Sequence, residues 1–168
     1  MTQQSPTIEE RPDQPYVGVT RAVTMTTMLE IADRIPEVIA WLDEQGVEPV
    51  GAAFLRYHVV DMESELVVEA GVPVASTDDL PGPTTGTVPT PGVLPAGRYV
   101  VVHHHGHPDE LERVTGELLA WAADRGLEWD ADAEQRAWGA RVESYLTDPG
   151  EQPDLDEWDH ELAFRLAG

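Results

Sequence analysis

The sequence predicts an α+β fold built from one β-α-β-β unit used twice, with antiparallel sheets, helices packed on one side and a ligand cleft where the units meet. Three observations carry this expectation. First, IAWLDEQGVE (39–48) recurs as LAWAADRGLE (119–128), so that Trp41 matches Trp121, Gly46 matches Gly126 and Glu48 matches Glu128 at one constant offset. Second, the order of predicted elements around each copy is the same. Third, a long stretch dense in Pro, Thr, Gly and Asp separates the two copies.

In the first unit, residues from Tyr16 to Met28 alternate and are rich in β-branched side chains, which suits a strand. A helix follows, with Ile35, Val38, Ile39 and Leu42 on its apolar face. Asp33 is expected to cap it, Pro36 is tolerated in its first turn and Gly46 ends it. Two further strands are expected near 50–60 and 65–74. The second unit repeats the order: a strand from Arg98 to His105, then a helix opened by Pro108, carrying Leu111, Val114, Leu118 and Trp121 and closed by Gly126. Strands near 136–147 and 159–167 complete it.

The expected organisation is therefore a flexible N-terminal arm over residues 1–14 and a single domain over 15–168. Its modules cover about 15–75 and 96–168, joined by a flexible linker over about 76–95. A module of ~60–70 residues is marginal alone, so the two are expected to share a core, with a groove along the pseudo-two-fold seam.

Residue types that are missing exclude whole mechanisms. The chain has no cysteine, which removes disulfides, thiolate catalysis and Cys-ligated metals, and its ten basic residues are all arginine, which removes Schiff-base chemistry. None of the four serines lies in a G-x-S-x-G elbow. Any catalysis falls to Asp, Glu, His or Tyr. A formal net charge of −22 argues against nucleic acid and anionic membranes as partners, and favours cations, unless it serves solubility alone. No apolar run is long enough for a membrane span, and the polar, acidic N-terminus does not read as a signal peptide, so a cytoplasmic location is expected.

Two segments hold candidate chemistry. In His103-His104-His105-Gly106-His107, strand alternation puts His103 and His105 on one face. No carboxylate stands at ligating helical spacing and H-E-x-x-H is absent, so a structural or pocket-lining role is favoured over a metal site, and no metal or cofactor is expected. In the strand 136–147, one face carries Ala137, Gly139, Arg141, Glu143, Tyr145 and Thr147. The other carries Trp138, Ala140, Val142, Ser144 and Leu146 and is expected to pack on the helices, although a bulge would move Trp138 across. Glu161-Leu162 in the last strand is aligned with Glu65-Leu66, and Tyr145 with Tyr57. Leu55 then stands where Glu143 would, so the cleft is chemically asymmetric.

A carboxylate desolvated among aromatic rings suits a lipophilic cation, and equally a general acid or base. The candidate ligand-binding set is Glu143, Tyr145, Tyr57, Glu161, Trp138, Phe54 and His105, with Glu143 the catalytic group if the chain is an enzyme.

The segments GRYVVVHHHGHPDEL, LLAWAADRGLE, ESYLTDPGEQPDLDEWDHELAFRL and RYHVVD…VVEAGVPV resemble the GyrI-like small-molecule-binding family over roughly residues 15–167. The most specific pieces are E-x-Y-L-T-D-P (143–149) and W-x-x-E-L (158–162). The resemblance implies paired β-α-β-β modules with a ligand at their junction, and a binding role for Glu143 with Tyr145 and Glu161 near it. It implies binding, sequestration or sensing of amphipathic, cationic drugs. Some free-standing relatives instead hydrolyse strained cyclopropane-containing toxins, and others inhibit DNA gyrase. The chain lacks the helix-turn-helix segment of the regulators in this family, so DNA-binding control is not expected.

Overall fold

A computed structural model describes residues 5–24, 27, 29–61, 65–77, 89–132, 134, 136–147 and 151–167. The elements are β1 (Thr7–Arg11), β2 (Gln14–Val23), α1 (Leu29–Ala32), α2 (Ile35–Glu44), β3 (Phe54–Val60), β4 (Leu66–Pro73), β5 (Thr90–Leu94), β6 (Gly97–His105), α3 (Leu111–Asp124), β7 (Arg141–Tyr145) and β8 (Asp159–Arg165). All eight strands form one antiparallel sheet in the order β1-β6-β8-β7-β3-β4-β2-β5. The expected sheets are thus one sheet, joined where β3 pairs with β7. Read inward from either end, each half runs edge strand, then the first, third and second strands of one predicted unit.

That order forces the sheet to curl. β1 and β2 lie near opposite ends of it, yet only Pro12 and Asp13 join them in the chain, and two residues span at most about 10 Å. Asp13, between β1 and β2, accepts the Ala96 N–H at 2.7 Å through its Oδ1, and Arg56 on the central strand β3 reaches across to the Val93 carbonyl on edge strand β5 at 3.0 Å. The inner face carries two apolar clusters, Tyr16 with Phe54 and Val142, and Tyr99 with Val101, Ala140 and Ala163.

The helices cover the outer face in two places. α2 sets Val38 and Leu42 against Val17, Val19 and Val72, while α3 sets Leu111, Val114 and Leu118 against Val100, Val102, Leu162 and Phe164. Between them runs the β3/β7 seam, walled on one side by Ile31 of α1, which packs with Leu55. No helix among the described residues is long and apolar enough to cross a membrane.

The repeated Trp-to-Gly segment is a helix C-terminus built the same way twice. In α2, Val47 N–H bonds to Leu42 O at 3.0 Å and Gly46 N–H to Asp43 O at 3.1 Å. In α3, Leu127 N–H bonds to Ala122 O at 3.0 Å and Gly126 N–H to Ala123 O at 3.1 Å. This paired capping requires a left-handed residue, and Gly46 (φ 72°) and Gly126 (φ 67°) supply it. A Cβ at either position meets nothing within 4 Å, so only the backbone resists substitution. Gly46→Ala and Gly126→Ala are each expected to lower stability by about 1–2 kcal/mol, read as a reduced denaturant midpoint. A loss of only a few tenths in both would contradict the capping role.

Several boundaries differ from expectation. The arm assigned to residues 1–14 contains β1, paired with β6. The linker assigned to 76–95 contains β5, paired with β2, while 78–88 lies outside the described residues. Both are short edge strands whose partners come within reach only when the sheet curls, so no local pattern marks them. The first strand ends at Val23 rather than Met28, and Met28 lies outside the described residues. Asp33 does not cap α2: it sits in the turn after α1, and Arg34 precedes α2 without a side-chain cap. In the second unit, His107 caps the 3-10 turn Pro108–Glu110 that leads into α3, its Nδ1 accepting the Asp109 N–H at 3.1 Å.

Candidate functional site

The seam strands place one polar row on the outer face between the helices. Leu55 and Glu143 are direct cross-strand partners, so their side chains share a face, and Glu143 is flanked on its other side by Leu162 of the α3 cluster. Alternation then sets Arg141 and Tyr145 beside Glu143, and Tyr57 beside Leu55. All four polar residues are half-buried, reached by solvent between the helices, whereas Leu55 is buried.

The strand expected over 136–147 is shorter, β7 covering Arg141–Tyr145 with isolated bridges at Ala137 and Trp138, and it is oriented opposite to expectation. Its apolar residues Ala140 and Val142 enter the inner core, and Arg141, Glu143 and Tyr145 face the helix side. The reason is the curl: the inner face of a closed-up sheet is itself a core and takes the apolar set. Trp138 lies on the helix side with Leu111, Val114 and Phe164, as a shift across the strand requires.

Glu143 is the centre of the row. Tyr145 donates its hydroxyl to Glu143 Oε1 at 2.5 Å, and Tyr57 donates to Oε2 at 3.3 Å. Burial raises the carboxyl above its ordinary pKa, while the two hydroxyls and the Arg141 charge pull it back. Burial and the neighbouring carboxylate push both tyrosine hydroxyls well above their ordinary range, so they stay protonated donors. The Arg141 guanidinium carbon lies 4.7 Å from the Phe164 ring centroid, 4.9 Å from Trp138 and 5.8 Å from Tyr57. Beyond Tyr145 stands His160, fully buried, its ring edge-on to Tyr145 at 5.8 Å and stacked on His104 at 6.1 Å.

The structure thus brings together Glu143, Tyr145 and Tyr57, with Trp138 behind Arg141. It does not bring the other three. Phe54 is buried on the inner face against Tyr16. Glu161 alternates away from Leu162 onto that same face, where it takes Arg11 at 3.0 Å and His103 at 2.9 Å. Its register partner is Ser144, as Arg56 is the partner of Glu69. Since Arg56 faces the inner side beside Tyr57 and Ser144 does so beside Tyr145, Glu161 matches Glu69 and not Glu65. His105 is exposed at the end of β6, paired with Asp159 at 2.8 Å and Glu157 at 3.3 Å, and these carboxylates raise its pKa.

Sequence reasoning passed over a second polar cluster on the inner face. Glu69, 6% exposed, accepts from Tyr16 at 2.5 Å and bonds His58 Nε2 at 2.9 Å, and Arg56 donates to the Tyr16 hydroxyl at 2.9 Å. A Cβ on Gly18 would lie 2.8 Å from Glu69 Oε2, so the Glu69 side chain packs directly over that glycine. Among the described residues no group of three or more His, Asp or Glu forms a metal site.

Comparison with solved structures places the fold. EcmrR in its cryo-EM complex with DNA, EcmrR-RPo, matches with a TM-score of 0.76 at 22% identity, covering 98% of this chain and 57% of that chain. The present chain thus spans little more than half of that protein. The EcmrR C-terminal domain alone matches with a TM-score of 0.75 at 20% identity, covering 99% of each. SAV2435 bound to tetraphenylphosphonium matches with a TM-score of 0.68 at 10% identity, covering 98% of this chain and 95% of that one. A hydrolase from Listeria innocua matches with a TM-score of 0.58 at 13% identity, covering 96% and 91%. No curated protein matches in sequence. The model of the GyrI-like small molecule binding domain matches residues 4–167, almost the whole chain, and the protein therefore belongs to that family.

Proposed function

We propose that the chain binds amphipathic aromatic small molecules, cationic ones foremost, in the groove over β3 and β7, and so sequesters or senses them. The observation that carries this reading is the position of Glu143, a half-buried carboxylate between two tyrosine hydroxyls on the floor of a helix-walled seam. Tyr57 and Tyr145 offer ring faces to an aromatic ligand, and the ionised carboxylate offers a counter-charge whose strength grows with desolvation. SAV2435, of the same fold, was solved with an aromatic cation of this class. The net charge of −22 draws cations toward the groove. The same reading takes the two halves as copies of one β-α-β-β module, supported by their mirrored strand order and matched helix ends.

The test is a fluorescence titration with ethidium. Micromolar binding is expected, weakened about tenfold by Glu143→Gln, which keeps shape and removes charge. Unchanged affinity in that variant would remove Glu143 from the site.

One observation favours a second reading. A carboxyl whose pKa is raised by burial, bonded at 2.5 Å to a phenol, is a proton donor and acceptor pair suited to hydrolysis of a strained electrophile. Product analysis with a cyclopropane-bearing electrophile separates the two: catalytic turnover supports hydrolysis, and stoichiometric capture supports binding.

A further inference from the structure

The groove contains a fixed cation as well as a carboxylate. Arg141 and Glu143 are two residues apart on β7 and share its outer face, which sets their Cα atoms about 6.6 Å apart. They form no ion pair within 4.0 Å; Glu143 bonds the two tyrosine hydroxyls instead. Among the described residues the Arg141 guanidinium has ring faces as neighbours and no hydrogen-bond acceptor, and its Nε is buried without a partner. Burial lowers its pKa, as expected of a desolvated cation lacking a full counter-charge.

These facts alter what the groove selects. A ligand with one positive charge gains Glu143 but approaches Arg141 with like charge. It also leaves the buried Nε–H of Arg141 without an acceptor in a desolvated place. A ligand with an anionic oxygen near its cationic aromatic system satisfies both poles.

Building on the cation-binding reading above, the geometry points to a zwitterionic or dipolar ligand class for this groove: an aromatic cation that also carries a carboxylate or comparable acceptor oxygen, the cationic part at Glu143 and the oxygen on Arg141. Arg141 is then a specificity-determining residue. The aromatic box of Trp138, Phe164 and Tyr57 holds its planar guanidinium in place for the acceptor, a role that lysine's rotatable ammonium fills less well.

Rhodamine B and its ethyl ester test this directly, because they share one xanthene cation and differ in a free carboxylate. At pH 7 the wild-type protein is expected to bind rhodamine B about tenfold tighter than the ester by fluorescence anisotropy, the worth of one charge-assisted contact. Arg141→Met keeps an unbranched stem against the rings and should erase that preference by weakening rhodamine B, with the ester unchanged or tighter. Arg141→Lys should restore part of it. Equal or tighter binding of the ester by the wild-type protein overturns the proposal, and this comparison stands even if a variant fails to fold. So does a preference that survives Arg141→Met. An ester that binds in a Glu143-dependent way without any carboxylate advantage leaves the cation-binding groove standing and removes the Arg141 role. If neither dye binds, both readings fall.

Discussion

Phe164→Ala is expected to cost about 3–5 kcal/mol of folding stability, a fifth or more of the ~5–15 kcal/mol that a domain commonly has. Phe164 is 2% exposed in the α3 cluster, with Trp129 at 5.8 Å and Trp138 at 5.6 Å, both edge-on to its ring. It is also the β8 partner of Arg141, whose guanidinium lies over it. Truncation therefore removes an aromatic contact from two tryptophans and from the cation in the groove, in a place where rigid strands limit collapse. Denaturant unfolding should show a lower midpoint at unchanged slope. Phe164→Leu, which keeps most of the volume, should cost ~1.5 kcal/mol or less. A loss below about 1 kcal/mol for the alanine variant would show that the site relaxes around the void, and that the cluster is not the rigid floor of the groove.

How this cluster and the groove come to share residues explains what was legible beforehand. The two longer helices and their C-terminal ends were readable because a Trp-to-Gly segment with i, i+3, i+4 apolar spacing is a local signal, and local hydrogen bonds complete it. The inner strands were readable by β-branched alternation. β1 and β5 were not, because TIEER and TPGVL gain their pairing from a closure that brings distant ends together. The same closure inverted the face of β7. Alternation says which residues travel together, but a curled sheet has two buried faces, and only packing decides which face takes Val142 and which takes Glu143. Glu143, Tyr57 and Tyr145 were legible as one group because the two tyrosines stood at matched positions and Glu143 lay on the same face of its strand as Tyr145. Phe54, Glu161 and His105 were placed with them on strand membership or neighbourhood, which does not fix a side. Arg141 was visible on the correct face yet given no role, since the absence of a partner is a property of the fold and not of the chain.

The second large effect is acid destabilisation through His160. Burial lowers its pKa from 6.5 to about 4, with the nearby charge of His104 acting in the same direction and His105 adding to it, while Asp159 and the His104 backbone oppose them. Tyr145 and Trp158 supply the remaining ring contacts, and among the described residues neither ring nitrogen of His160 has a side-chain hydrogen-bond partner. The folded protein therefore holds His160 neutral where the unfolded chain would protonate it. Since the folded pKa lies below the unfolded one, the unfolded state binds more protons between them, and stability falls as pH drops from about 6.5 toward 4. The loss reaches about 3 kcal/mol at the lower end, at ~1.4 kcal/mol per pKa unit. Reduced carboxylate repulsion in so acidic a chain acts the opposite way over the same range, so the comparison must be made against a variant that shares it. His160→Met keeps an apolar filler in the cluster and removes the titration. Its stability relative to wild type should rise by about 3 kcal/mol between pH 7 and pH 4, measured by urea unfolding at each pH. Parallel pH profiles for the two proteins would contradict it, as would a His160 ring that titrates near 6.5 by NMR. Because His160 touches Tyr145, and Tyr145 donates to Glu143, the acid transition should also disturb the groove. Ethidium affinity should then fall in the same pH window in the wild-type protein, and less steeply in His160→Met.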